Sequence, residues 1–267
     1  MRPKIRISKG GVALKGVLSA VADLLFPPLC IGCGEILPEG GGFACKSCLA
    51  EVEGIEAPYC SICGKPLFGV EGTAGSDIIV CENCAGMKPP FDVAGSAFVY
   101  GGIVLEAVKM FKYYGRASLA GPLTVLALRE GACFGNRGIP GTLDPAAFDL
   151  MAPVPLYRKR LYERGFNQSL EIAKELKRRC GGKLSINRAD LVRTRYTVPQ
   201  TTLSMEERKV NVKGAFAVRG RAFHKKRVLL VDDVFTTGST VSECAKVLKN
   251  AGAERVGVFT LTRSVMK

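Results

Sequence analysis

Eight of the 11 cysteines fall between residues 30 and 84, in four Cys-x-x-Cys pairs: Cys30/Cys33, Cys45/Cys48, Cys60/Cys63 and Cys81/Cys84. They constrain the fold more than any other feature. Residues 27–90 are rich in Cys, Gly and Pro and show little helical periodicity. Two thiolates at this spacing sit on one tight turn and reach the same ion, which is how tetrahedral Zn²⁺ sites are assembled. Gly34 and Gly64 follow the first and third pairs, where the backbone must fold closely around sulfur. A single pair reads equally as a redox motif, but four pairs in one loop-rich segment read as zinc.

The segment also repeats. Pro28–Cys48 and Pro58–Cys84 each run as a Cys-x-x-Cys-Gly knuckle, a Gly-rich hairpin and a second knuckle. The repeat favours sequential sites, Cys30/Cys33/Cys45/Cys48 and Cys60/Cys63/Cys81/Cys84; an interleaved cross-brace is the alternative. Four Cys ligands leave no open coordination position, so the expected role of the metal is structural. A disulfide framework would conflict with the cytoplasmic location expected below. Cys133, Cys180 and Cys244 fall in an apparent loop and two helices and read as inert thiols.

The remaining texture gives three zones: a leader at 1–26, the cysteine segment at 27–90, and an α/β region at 91–267. In the leader Lys15 splits the apolar run and Asp23 closes it, so there is no clean signal-peptide core and no span long enough for a bilayer. Val17, Val21, Leu24 and Leu25 suit a short amphipathic helix. No membrane insertion is expected, and the chain reads as cytoplasmic. Pro89–Pro90 closes the second zone. Beyond it the sequence predicts strands at Val93–Tyr100, Leu150–Val154, Val228–Val231 and Val256–Leu261. Helices are expected at Ile103–Tyr113, Ser118–Glu130, Asn167–Cys180 and Val241–Asn250, with a loop at Gly131–Pro145. On the third helix Leu170, Ala173, Leu176 and Lys177 are in phase. Strands without polar alternation, separated by amphipathic helices, argue for a parallel sheet covered on both faces.

The formal net charge is +14, and all of it is local: Arg158 to Arg227 holds 20 Lys/Arg against 6 Asp/Glu, and the rest of the chain is neutral. Such a block attracts phosphate, on a small molecule or along a nucleic acid. The plainer reading is a solvated basic face.

The sharpest chemistry lies in Val228-Leu-Leu-Val-Asp-Asp-Val-Phe-Thr-Thr-Gly-Ser-Thr240. A hydrophobic strand leads to two carboxylates, then a hydroxyl-rich turn opens a helix. Ligands of open α/β sheets bind at the carboxyl ends of strands. N–H groups of Thr236, Thr237, Gly238, Ser239 and Thr240 at a helix start suit a phosphate, with the hydroxyls as further donors. Asp232 and Asp233 suit the hydroxyls of a sugar. Each part alone reads as an ordinary cap, whereas their conjunction is specific.

This segment resembles the signature of type I phosphoribosyltransferases that binds phosphoribosyl pyrophosphate (PRPP). Ala152–Leu156, Arg158–Arg160, Glu163–Gln168, Thr197–Gln200 and Arg208–Phe216 look like the ComF family, and the cysteine segment is similar to that family's double zinc ribbon. The resemblance covers nearly the whole chain from Leu24. It implies an α/β chain with a type I phosphoribosyltransferase fold, a mostly parallel sheet flanked by helices, preceded by a small Cys-rich double zinc ribbon. It further implies that Pro155, Leu156, Arg158 and Arg160 belong to a loop holding pyrophosphate, and that Arg193–Arg208 is a loop closing over PRPP. Both segments are strongly basic and read as loops.

Two functions are carried forward, one enzymatic and one not. In the first, Mg²⁺-bound PRPP sits on Asp232, Asp233 and the Thr236–Thr240 loop, and pyrophosphate leaves toward Arg158 and Arg160. In the second, implied by the family's association with natural competence, the fold serves DNA uptake by binding a phosphoribosyl moiety of single-stranded DNA or a partner helicase, with the zinc ribbons as docking surface. Some purine-salvage relatives place a carboxylate where Thr236 stands, so this chain lacks an obvious general base. The only histidine, His224, reads as a surface residue. No glutaminase domain is expected.

Overall fold

The computed structural model describes residues 27–38, 42–69, 78–130, 143–181, 184–198 and 204–265. The expected leader helix, Cys133 and most of the 131–145 loop lie outside them. Contacts divide the chain into two compact units, one through Ala50 and one from Glu51 onward.

The first unit holds one cysteine cluster and a short helix, α1 (Lys46–Ala50). The second opens with the other cluster and α2 (Glu82–Gly86). The repeat seen in the sequence is a repeat of backbone bonding. In the first unit Cys30 N–H donates to Glu35 O, Gly34 N–H to Cys30 O and Leu37 N–H to Pro28 O; in the second, Cys60, Gly64 and Leu67 donate to Lys65, Cys60 and Pro58 in the same pattern.

The second unit is built on a five-stranded, wholly parallel sheet. Its strands are β1 (Val93–Val99), β2 (Leu150–Pro153), β3 (Ser185–Ile186), β6 (Arg227–Phe235) and β7 (Arg255–Arg263). They lie in the order β1-β7-β6-β2-β3. A separate antiparallel pair joins β4 (Leu191–Arg193) to β5 (Phe216–Val218). The helices are α3 (Gly102–Tyr113), α4 (Ala120–Glu130), α5 (Arg158–Arg164), α6 (Gln168–Arg179), α7 (Met205–Val212) and α8 (Ser239–Asn250).

Val228, Leu229, Leu230 and Val231 have no exposed surface, so both faces of β6 are covered. Each such side chain contributes about 1.5–3 kcal/mol on burial. On one face Val228, Leu230, Val256 and Val258 pack with Val241, Cys244, Ala245 and Leu248 of α8. Leu229, Val231 and Phe259 alternate to the other face, where α6 lies against β2 and β6.

Apolar runs understate the two central strands. β6 and β7 extend past Val231 and Leu261 because pairing continues through Asp232↔Thr260, Val234↔Thr262 and Phe235↔Arg263. Their polar side chains find partners inside: Ser96 Oγ and Thr260 Oγ1 are 2.6 Å apart across β1 and β7. α4 begins at Ala120 rather than Ser118, after a 3₁₀ turn at Ala117–Leu119. Pro122 requires this, because its missing N–H is tolerated only in a first turn.

β1 ends the sheet, and the chain before it lies along its outer side. Ala94 N–H donates to Ile62 O (2.7 Å), Ile55 N–H to Ala97 O (2.9 Å) and Val99 N–H to Glu53 O (2.9 Å). Gly64, at φ +69°, comes so close that a Cβ there would stand 2.7 Å from Ala94 O. Only glycine allows this approach.

The connection after β2 runs outward to β3, while that after β6 runs through α8 to β7 on the other side. The chain therefore changes direction between the carboxyl ends of β2 and β6, where open α/β sheets form their ligand crevice.

Candidate functional site: a charged cleft and two thiolate clusters

A cleft of about 330 Å³ opens at that point. Val154 and Leu156 after β2 form one side, and Asp232 to Phe235 at the carboxyl end of β6, with Thr236, Gly238, Ser239 and Thr240 after it, form the other. Thr237 does not line it; its Oγ1 lies 2.7 Å from Ser239 Oγ and accepts Ser239 N–H at 3.4 Å, shaping the turn. Gly238 caps α8 at φ +76°, its Cα packed on the Phe235 ring so that a Cβ would come within 2.6 Å. α8 thus presents its first N–H groups to the cleft with no side-chain cap from Gly238.

The two carboxylates are held differently. Asp233 pairs with Lys112 at 3.0 Å, both side chains largely enclosed. Burial works against the Lys112 charge, but Asp233 and then Asp232 outweigh it and raise its pKa. Asp232 Oδ1 accepts from Ser169 Oγ at 2.9 Å and from Asp233 N–H at 3.0 Å. Burial and then the charge of Asp233 raise Asp232 to about 7, with Lys112 and Ser169 pulling the other way.

The far wall is cationic: Arg160, Arg164, Arg193 and Arg208 line it. Arg164 donates to Gln168 Oε1 at 3.0 Å and lies over the Tyr113 ring. Arg160 Nη2 and Arg193 Nε are buried with no hydrogen-bond partner among the described residues. Burial and then the neighbouring Arg160 lower the Arg193 pKa. Two adjacent guanidiniums with spare N–H groups fit an anion with several oxygens.

Part of the basic wall differs from expectation. Arg158–Arg160 is the first turn of α5, not loop, because Arg158–Arg164 contains no helix breaker before Gly165, which caps it at φ +76°. Leu156 and Arg160 reach the cleft, whereas Pro155 and Arg158 do not line it. In the segment 193–208, Arg193 closes β4, and Ser204 with Glu207 forms a capping box that starts α7. On α6 the buried stripe is Gln168, Ser169, Ile172, Ala173 and Leu176, shifted from the expected phase. Its polar start is explained by the cleft: Ser169 holds Asp232, and Gln168 Nε2 reaches Phe111 O at 3.4 Å.

Sequence reasoning missed Lys112 and assigned no role to Ser169 or Arg164. A signal existed. Val104, Val108 and Lys112 recur every four residues, so this lysine continues the buried stripe of α3. His224 is exposed, as expected. Cys180 is half-buried and Cys244 fully buried.

The remaining cysteines gather as two sets of four, Cys30/Cys33/Cys45/Cys48 and Cys60/Cys63/Cys81/Cys84, each with all sulfurs within 4.8 Å of one another. The sequential pairing holds and the cross-brace does not. Cys33 and Cys45 Sγ are 3.7 Å apart, and Cys63 and Cys81 Sγ 3.8 Å. A tetrahedron with Zn–S bonds of about 2.3 Å has edges of about 3.8 Å, so both sets fit tetrathiolate zinc. The second set is wholly buried; in the first, Cys33 is exposed.

This combination defines a class of protein, a double zinc ribbon joined to a phosphoribosyltransferase fold. Residues 21–85 match the double zinc ribbon domain and residues 167–264 the phosphoribosyl transferase domain. The chain belongs to the competence protein F (ComF) family. It is 31% identical over 242 residues to competence protein F of Haemophilus influenzae, covering 88% of this chain and 96% of that one. DNA utilization protein YhgH of Escherichia coli (strain K12) is 32% identical over 248 residues, 91% of this chain and all of that one. Competence protein ComFC of Bacillus subtilis (strain 168) is 25% identical over 227 residues, covering 82% and 84%.

Proposed function

We propose that the cleft binds PRPP with Mg²⁺ and that the protein serves DNA uptake in natural competence. The observation that carries the first part is the polarity of the cleft. Two carboxylates and a helix N-terminus face two guanidiniums, of which Arg160 Nη2 and Arg193 Nε are buried with no hydrogen-bond partner among the described residues. Asp232 and Asp233 suit the ribose hydroxyls, the α8 N-terminus the 5′-phosphate, and Arg160 with Arg193 the diphosphate. Mg²⁺, when bound, neutralises the diphosphate. The names of the relatives support the second part. No described helix is long and apolar enough to cross a membrane.

Calorimetry of the zinc-loaded protein with PRPP and Mg²⁺ tests the reading, and its pH dependence has a definite sign. The folded-state pKa of Asp232 is raised, to about 7. In the free protein the carboxyl therefore holds its proton up to that pH, and the cost of ionising it falls as pH rises from the ordinary carboxylate range toward 7. A ligand that bonds to the carboxylate expels the proton, so affinity should rise from pH 5.5 to about 7 and then level. Ser169→Ala removes a donor to the ionised form and should move the profile to higher pH. Superimposable wild-type and Ser169→Ala profiles would exclude Asp232 from the contact.

One observation favours single-stranded DNA at the same face. Tyr113, Tyr162 and Tyr196 are exposed among Arg158, Lys159 and Arg164, with Lys159 over the Tyr196 ring and Arg164 over that of Tyr113. Stacked bases and a basic track are what a single strand requires. Affinity should fall steeply with salt, and neutralising Arg158 and Lys159 should make the dependence shallower by about 0.7 in slope for each phosphate they engage. Tyr162→Ala with Tyr196→Ala should weaken binding by about 1–3 kcal/mol per base without changing that slope. Undetectable binding at low salt would leave the block as solvated surface plus a diphosphate grip.

A further inference from the structure

The two cysteine clusters differ in their surroundings. Within the second unit Arg263, at the end of β7, is 7% exposed. Its guanidinium donates through Nη1 to Cys63 O at 2.6 Å and through Nη2 to Cys63 Sγ at 3.5 Å. A buried charge needs partners, and here they belong to a metal ligand. Four thiolates around a divalent ion leave a net negative charge that a buried site must offset. In the first cluster the side chain beside Cys33 is instead Glu35, at 4.0 Å, in an exposed setting.

Arg263 also meets Phe235, a residue that lines the cleft. Its guanidinium lies 4.2 Å from the centroid of the Phe235 ring, and that ring packs under Gly238, the residue that turns the phosphate loop into α8. Phe91, just after the second cluster, meets the same ring edge-on at 6.0 Å. The backbone joins in as well. Arg263 O accepts from Tyr100 N–H at 2.7 Å, and Phe235 O from Ser264 N–H at 2.9 Å; Tyr100 and Ser264 both line the cleft.

We propose that Arg263 is a positioning residue that couples the metal load of the second cysteine cluster to the geometry of the Thr236–Thr240 loop. With metal on the thiolates, Cys63 holds the guanidinium, the guanidinium holds the Phe235 ring, and the ring supports Gly238 in its left-handed turn. Without it, Arg263 loses the charge it offsets, and the ring loses its cationic face. The second cluster is then a sensor of zinc acting on the ligand site, a role the first cluster does not share. The inference rests on reading the cleft as a PRPP site, but the coupling has a readout of its own.

The test uses the full chain and four variants, with amide exchange at residues 236–240, zinc release to a chromophoric chelator, and PRPP affinity measured on each. Arg263→Met should weaken zinc at the second cluster by about 10- to 100-fold, as removal of a ligand-supporting partner does. It should also speed exchange in the loop and lower PRPP affinity. Arg263→Lys, which keeps the charge, should recover part of each effect. Phe235→Leu should loosen the loop while zinc release stays at the wild-type rate. Cys33→Ser should lose one zinc with loop exchange as in wild type. Unchanged loop exchange in both Arg263→Met and Phe235→Leu overturns the coupling. If no form binds PRPP, the ligand reading fails, and loop exchange alone still decides the coupling.

Discussion

Asp232→Asn combined with Asp233→Asn should abolish measurable PRPP binding while the second unit stays folded. Each carboxylate that accepts a bond from a ribose hydroxyl contributes about 1.5–3 kcal/mol, so losing both costs two to four orders of magnitude in affinity, roughly 3–6 kcal/mol. The fold should tolerate the change because Asp232 is a charge held against burial. The opposing cost falls on Lys112, which loses its ion pair with Asp233. Adding Lys112→Met should therefore restore stability without restoring affinity. Calorimetry and thermal unfolding on the three proteins separate these effects; equal PRPP affinity in wild type and the double variant would remove these residues from the site.

The second large effect is on stability, and it is unequal between the clusters. Purified protein should contain about two Zn²⁺ per chain, one for each tetrathiolate. Cys30→Ser should lose one and leave the unfolding temperature of the sheet-containing unit unchanged. Cys60→Ser should lose the other and lower that temperature by about 10–20 °C. The second cluster is part of the same core as Leu230, Val258 and Leu248, so unligated thiols there sit inside the packed unit. A loss of about 5 kcal/mol suffices, well within the ~10–16 kcal/mol of a structural zinc, and each kcal/mol is about 2–4 °C at this size. Metal analysis with no zinc and thiols oxidised in pairs would overturn the assignment, as would equal melting shifts in the two variants.

What could be read from sequence was what is local. The strand, carboxylates and hydroxyl-rich turn of Val228–Thr240 are contiguous, so chemistry and geometry lie on one stretch. The Cys repeat was legible for the same reason. Lys112 was not, because it reaches Asp233 only through the sheet: α3 follows β1, β1 pairs with β7, and β7 with β6. Ser169 was hidden by the helical pattern, where a buried serine looks like a phase error until Asp232 is seen opposite it. Charge density misled at Arg158–Arg160, where consecutive cations suggested a loop although lysine and arginine form helix readily. The ends of β6 and β7 were underestimated because an internal strand is ended by its neighbours, not by its last apolar residue.

A parallel sheet has two rims, and each is a template on which a second chain can pair. At one rim β3 is only two residues long, too short to recruit a partner. At the other, β1 is seven residues long and almost entirely buried. Its free side is taken by Glu53, Ile55 and Ile62 from the segment that carries the second cluster. This metal-bearing segment therefore also acts as a guard against edge-to-edge association. A chain cut back to Phe91 would retain every strand and every residue of the cleft, and would expose a long apolar edge ready to pair with its own copy.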